Sequence, residues 1–140
     1  MNSWLLDAGP LIAFLDRSDP FHVQVKAALV SFKGKFFTTG AVITEAMHFL
    51  RVDIGGPATL VDFLESSRTA VVDCCQPADL KRAVKLMQKY ADTPMDFADA
   101  SLVLLGDSLR VTQVCTLDRR GFATYRMATG KRFTLVLDEK

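Results

Sequence analysis

The sequence predicts an α/β fold: a three-layer α/β/α sandwich with a central five-stranded parallel sheet, spanning residues 1–140 as one domain. Three observations lead there. Short apolar runs of the buried-strand kind interleave with longer stretches whose apolar residues recur at helical spacing, the pattern of strand–helix–strand units. Glycine and proline punctuate the junctions between them. A chain of 140 residues that is 49% hydrophobic can fill one core and has little left for a second.

In chain order, the first strand is Ser3 to Leu6, with Asp7 as its C-terminal residue. Ala8-Gly9-Pro10 then turns into a helix with Pro10 suited to its first position. Asp19-Pro20 reads as a helix cap followed by proline, leading into Phe21, Val25, Leu29 and Phe32, and Gly34 stops that helix. Lys35 to Thr38 is the second strand. Thr39 or Gly40 opens a helix carrying Val42, Glu45, Ala46, Phe49 and Leu50. Gly55-Gly56-Pro57 breaks it and starts another, Ala58 to Ser67. Ala70 to Val72 is the third strand. Pro77 begins an amphipathic helix toward Tyr90, and Thr93-Pro94 begins one more over Met95 to Asp107. Gln113 to Thr116 and Phe133 to Leu137 are the last strands, separated by a short turn or helix around Asp118 to Tyr125.

The net charge of +1 sets up no global field that would advertise a polyanion partner. Local clusters differ. Arg110, Arg119, Arg120, Arg126, Lys131 and Arg132 crowd the C-terminal third, and Lys81, Arg82, Lys85 and Lys89 recur along one predicted helix. Cys74, Cys75 and Cys115 make a poor disulfide framework and have no zinc spacing, so all three read as core or near-core residues of a cytoplasmic protein. His48 follows Glu45 by three residues, but a satisfied surface or core histidine explains it as well. No run of 18 apolar residues exists to span a membrane.

Four acids stand where packing alone has no use for them. Asp7 ends an apolar strand, Glu45 interrupts an apolar helix, Asp99 lies in MDFADASLVLL, and Asp118 follows the strand-like VCTL. Asp96, three residues before Asp99, projects from the same side of a helix start, where the helix dipole favours an acid in any case. In a doubly wound sheet, ligands bind beyond the carboxyl ends of the strands, which is where Asp7 and Asp118 fall. Two carboxylates about 5 Å apart at an effective dielectric near 20 repel by roughly 3 kcal/mol. A cluster of four therefore needs raised pKa values, nearby Lys or Arg, or hard divalent cations. Such a set is the mark of a metal-dependent nucleic-acid hydrolase, with no protein nucleophile in evidence. The pair Arg119-Arg120 beside Asp118 suits phosphates flanking a scissile bond.

Taken together, the DAGPLIAFLD opening, the apolar helix bearing Glu45, the PMDFADASLVLL helix and the TLDRRGF segment resemble a PIN domain of the bacterial toxin type, similar to VapC ribonucleases. The resemblance implies metal-site acids at Asp7, Glu45, Asp99 and Asp118, with Asp96 as an auxiliary acid and Thr116 as a supporting hydroxyl. It also implies Mg²⁺ or Mn²⁺, an RNA substrate, homodimers, and an antitoxin that blocks the site. Ala8 departs from the pattern, since many members carry Ser or Thr directly after the first aspartate. A haloacid-dehalogenase-like phosphatase would need a second acid at position 9, which is glycine, and a receiver domain would need an acidic pair at the end of the first strand. An RNA processing or decay nuclease without a toxin role, and a non-catalytic RNA-binding module, remain as alternatives.

Overall fold

The computed structural model describes residues 2–138. Its strands are β1 (Ser3–Leu6), β2 (Lys35–Thr39), β3 (Ala70–Val72), β4 (Gln113–Cys115) and β5 (Thr134–Leu135), all parallel, in the order β3-β2-β1-β4-β5. The helices are α1 (Ala8–Leu15), α2 (His22–Ser31), α3 (Gly40–Leu50), α4 (Gly56–Ser66), α5 (Pro77–Lys89), α6 (Phe97–Leu109) and α7 (Arg119–Thr124), and a 3-10 turn covers Val136–Asp138. The five-stranded parallel sheet flanked by helices is the architecture that the sequence predicts.

The strand order fixes where a site can form. From β1 the chain steps outward through β2 and β3, then returns to the other side of β1 as β4. The direction of winding therefore reverses between β1 and β4, and beyond the carboxyl ends of these strands lies the switch point at which such sheets bind ligands. The register there pairs Leu5 with Val114 and Leu6 with Cys115. Both β1 leucines are fully buried, as are Val114 and Cys115, so the strands at the switch point are anchored by side chains that a register slip would expose.

Several boundaries differ from the expectation, each for a local reason. β1 stops at Leu6 because Asp7, although extended (φ −89°, ψ 166°), turns its side chain to accept from Ala8 N–H and caps α1. Pro10 consequently occupies the third helical position instead of the first. Asp19 does not cap α2: its Oδ1 accepts from Phe21 N–H at 2.8 Å, forming a turn that delays the helix to His22. The α4 helix begins at Gly56 and ends at Ser66, a residue or two earlier than read. Asp96 caps α6, so that helix starts at Phe97 instead of Met95 and runs on to Leu109. β4 ends at Cys115, one residue before Thr116, whose side chain is diverted to the site. β5 is only two residues long because Val136 curls into the 3-10 turn. Cys75 is exposed, which corrects its reading as a core residue, whereas Cys74 and Cys115 are buried.

Candidate active site

At the switch point, Asp7 is the most constrained acid. It is 8% exposed, and its N–H continues the β1–β4 ladder to Cys115 C=O at 3.0 Å. Oδ1 accepts from Ala8 N–H at 2.8 Å and Oδ2 from Thr116 Oγ1–H at 2.7 Å. Thr116 Oγ1 in turn accepts from Asp118 N–H at 2.9 Å. One hydroxyl thus aligns the first acid with the backbone of the last. Ala8 lacks the hydroxyl many relatives carry, yet its amide and Thr116 leave each carboxylate oxygen oriented with a lone pair to spare.

Asp118 caps α7, its Oδ1 accepting from Gly121 N–H at 3.1 Å. It therefore stands at a defined helix start and not in an irregular loop. Gly121 is necessary there: a Cβ at that position would collide with Asp118 Oδ2 and come within 3.0 Å of the Tyr125 hydroxyl. The buried Tyr125 donates to Pro94 C=O at 2.7 Å, tying α7 to the segment that leads into α6.

That segment carries the other two aspartates. Asp96 and Asp99 form a reciprocal capping box, with Asp96 Oδ1 accepting from Asp99 N–H at 2.8 Å and Asp99 Oδ2 accepting from Asp96 N–H at 3.2 Å. Below them Ser101, fully buried, donates to Ala98 C=O at 2.7 Å and lies 2.7 Å from Thr39 Oγ1. Ser101 has one proton and spends it on Ala98, so Thr39 is the donor to Ser101 while accepting from Val42 N–H at 3.2 Å. This buried chain links the start of α3, which carries Glu45, to α6. The sequence hint was Ser101 itself, the one polar residue between Ala100 and Leu105. Tyr125 left no comparable sign, since its role exists only in the bond to Pro94, 31 residues away.

The electrostatics identify these acids as one group. Burial raises the pKa of Asp7, opposed by its hydrogen bonds from Thr116 and Ala8 and reinforced by the charges of Asp118 and Asp96. Glu45 is raised by partial burial, then by Asp96 and Asp7. Asp99 is pushed up to about 8, by burial first and then by Asp96 and Asp7. The charges acting on these three groups are all carboxylates, and neither ion pair found among the described residues involves them. Among the described residues no three acid, histidine or cysteine side chains form a ligand-tight set. The acids lie within electrostatic range without being drawn together, as uncompensated like charges must. Oxygen-only donors of one sign suit a hard divalent cation. His48 is exposed and no hydrogen bond ties it to the acids. Arg119 is paired with Asp138, its Nε lying 3.1 Å from Oδ1, and Arg120 is exposed.

A parallel sheet with acids gathered at its β1–β4 switch point defines a class of metal-suited α/β hydrolases. The chain belongs to the PIN-domain family, whose model matches residues 4–127. It is 29% identical over 133 residues to Ribonuclease VapC26 of Mycobacterium tuberculosis, covering 94% of this chain and 98% of that protein. Among solved structures, its fold is similar to Mycobacterium tuberculosis VapC20, a sarcin-ricin loop cleaving toxin, with a TM-score of 0.74 at 15% identity, over 82% of this chain and 89% of that one. It is also similar to a chain of a toxin–antitoxin complex from Klebsiella pneumoniae, with a TM-score of 0.66 at 19% identity over 86% and 91% of the two chains.

Proposed function

We infer that this chain is a PIN-domain endoribonuclease, the toxin of a toxin–antitoxin pair, hydrolysing RNA phosphodiester bonds with Mg²⁺ or Mn²⁺. The observation that carries the reading is the set of acids near the switch point, of which Asp7, Glu45 and Asp99 are raised in pKa and paired with no cation among the described residues, in a chain whose family includes a ribonuclease aligned over nearly its whole length. Asp7, Glu45, Asp99 and Asp118 would hold the divalent ion, with Asp96 assisting. Once bound, such an ion lowers the pKa of a coordinated water and stabilises charge on the scissile phosphate.

The protein's own contribution is orientation. Thr116 fixes Asp7 relative to Asp118, and the Asp96–Asp99 box fixes the third acid on its helix. Asp99, with a pKa pushed up to about 8, holds a proton near neutral pH when no cation is present and would release it to solvent when one binds. Arg119 and Arg120, both exposed at the start of α7, are placed to meet phosphates flanking the cut; Arg119 would have to leave Asp138 to do so. The partners follow from the same reading: RNA as substrate, an antitoxin protein, and a second copy in a homodimer. Among the described residues no helix is long and apolar enough to cross a membrane, and we place the protein in the cytoplasm. The test is cleavage of a fluorescent RNA with Mg²⁺, with Mn²⁺ and with excess EDTA. Activity is expected only with the ions, and undiminished cleavage in chelator would sink the reading.

A further inference from the structure

The basic residues of α5 are not used by the acid cluster; all four are exposed, and three of them, Arg82, Lys85 and Lys89, border one cleft. Lys85 and Lys89 of α5 face Arg126 across a cleft of about 250 Å³ between α5, α6 and the segment after α7. Leu86, Leu104 and Met127 line the same cleft. The Arg126 guanidinium is held in place, Nη1 donating to the carbonyls of Ala123, Thr124 and Tyr125 at 2.8, 2.8 and 3.0 Å, which leaves its other donors for a ligand. One acid lines the cleft, Asp107, whose Oδ1 accepts from Ala128 N–H at 2.8 Å, and Arg82, which also lines it, pairs with Asp79 at 2.8 Å. Among the described residues no salt bridge joins either acid to Lys85, Lys89 or Arg126.

The Lys89 end of this cleft is linked to the acids through two tyrosine rings. The Lys89 ammonium lies 5.4 Å from the centre of the Tyr90 ring, which meets Tyr125 edge-on at 5.1 Å. Tyr90 Oη accepts from Arg126 N–H at 3.0 Å. On its far side Tyr125 hydrogen-bonds Pro94 and stands in the field of Asp99, Asp118, Asp96 and Asp7. Two buried tyrosine rings in series, Tyr90 and Tyr125, thus stand between an acidic centre and a cationic cleft with apolar walls. A phosphodiester strand bound at the acids would reach the cleft around these two rings. Cations around an apolar floor suit a nucleotide, phosphate to the rim and base to the floor.

We propose that the Lys85–Lys89–Arg126 cleft is a subsite for single-stranded RNA, holding a nucleotide that flanks the one bound at the acids. It rests on the nuclease reading for its ligand, but binding tests it without cleavage. Fluorescence anisotropy of a labelled single-stranded RNA, measured in EDTA, compares the wild type with Lys85→Ala/Lys89→Ala/Arg126→Ala. A second charge-matched triple, Arg17→Ala/Lys26→Ala/Lys33→Ala, removes three exposed cations elsewhere. The cleft variant should bind at least about tenfold more weakly, and the slope of log affinity against log salt should shrink by roughly two, as three lost phosphate contacts on a single strand require. The control triple should change neither much. Because Arg126 also clamps the end of α7, the double variant Lys85→Ala/Lys89→Ala is measured too, and should lose part of the affinity with an unchanged melt. Unchanged RNA affinity and slope, or an equal loss in the control triple, overturns the proposal and leaves the cleft to an acidic polypeptide. So does a wild type that binds no RNA. Mg²⁺-dependent cleavage by the wild type is scored separately, so a failed nuclease reading is distinguishable from a failed subsite.

Discussion

Asp96 and Asp99 hold each other's backbone, each side chain accepting from the other's N–H. An acid proposed for the metal is therefore also half of a helix cap. Asp99→Asn keeps an acceptor for its 3.2 Å bond while removing a ligand charge and the repulsion from Asp96 and Asp7. RNA cleavage should fall by roughly 100-fold or more, since even outer-shell changes cost metal sites 10–100-fold, while the melt in EDTA holds or rises. Asp96→Asn preserves a good capping residue and should cost at most about 1 kcal/mol, with a milder loss of activity. Melts with and without Mg²⁺ beside cleavage assays decide. If Asp96→Asn abolishes the Mg²⁺ stabilisation and Asp99→Asn retains it, the two roles must be exchanged.

The raised pKa of Asp99 gives metal-free stability a pH dependence of definite sign. Between its ordinary value of 3.8 and about 8, the folded chain keeps a proton that the unfolded chain has released. Stability therefore falls as pH rises through that interval and levels off above it. Asp7 and Glu45, also raised, tilt it the same way. Calorimetry in EDTA should give a higher melting temperature near pH 5 than near pH 8, and saturating Mg²⁺ should recover most of the loss at pH 8, because binding displaces the proton. A melting temperature that climbs from pH 5 to pH 8 without metal would contradict this.

The fold was legible because its cues are local. Apolar strands broken by glycine or proline, and helices such as 97–109 that are apolar on most sides, specify their elements whatever the tertiary partner. The misread boundaries are where a side chain chose between two local bonds. Asp19 made a turn instead of a cap, and Asp96 capped a helix that was expected to begin two residues earlier, at Met95. For the acids, burial cost was the visible signal, and it picked out Asp7 and Asp99 from position alone. The hydroxyl chain through Thr39 and Ser101 and the reach of Tyr125 to Pro94 depend on residues 62 and 31 positions apart. No pattern along the chain encodes such meetings.

Removing the Ser101 hydroxyl tests that buried chain. In Ser101→Ala the Thr39 hydroxyl loses its acceptor in a fully buried place, a penalty of about 1–3 kcal/mol. Equilibrium urea unfolding should show a loss in that range. A loss of only a few tenths of a kcal/mol would mean that water or a rotated Thr39 satisfies the group.

Gly121 sets a conflict between helix and site. By intrinsic propensity, alanine within α7 would be favoured by about 1 kcal/mol. A Cβ there, however, collides with Asp118 Oδ2 and crowds the Tyr125 hydroxyl at 3.0 Å. Gly121→Ala should therefore change stability little, as the two effects oppose, yet push Asp118 from its place and raise the Mg²⁺ concentration needed for half-maximal cleavage. Tyr125→Phe frees the other side of the same contact by losing the bond to Pro94 C=O, at about 1 kcal/mol, and should raise the Mg²⁺ requirement by a smaller factor. The decisive measurement is a double-mutant cycle with Asp118→Ala. Once the carboxylate is gone the collision is gone, so adding Gly121→Ala to Asp118→Ala should stabilise the protein and leave the residual Mg²⁺ requirement unchanged. If Gly121→Ala has the same effect whether or not Asp118 is present, the glycine serves only the packing of α7 against Tyr125, and the placement of the fourth acid does not depend on it.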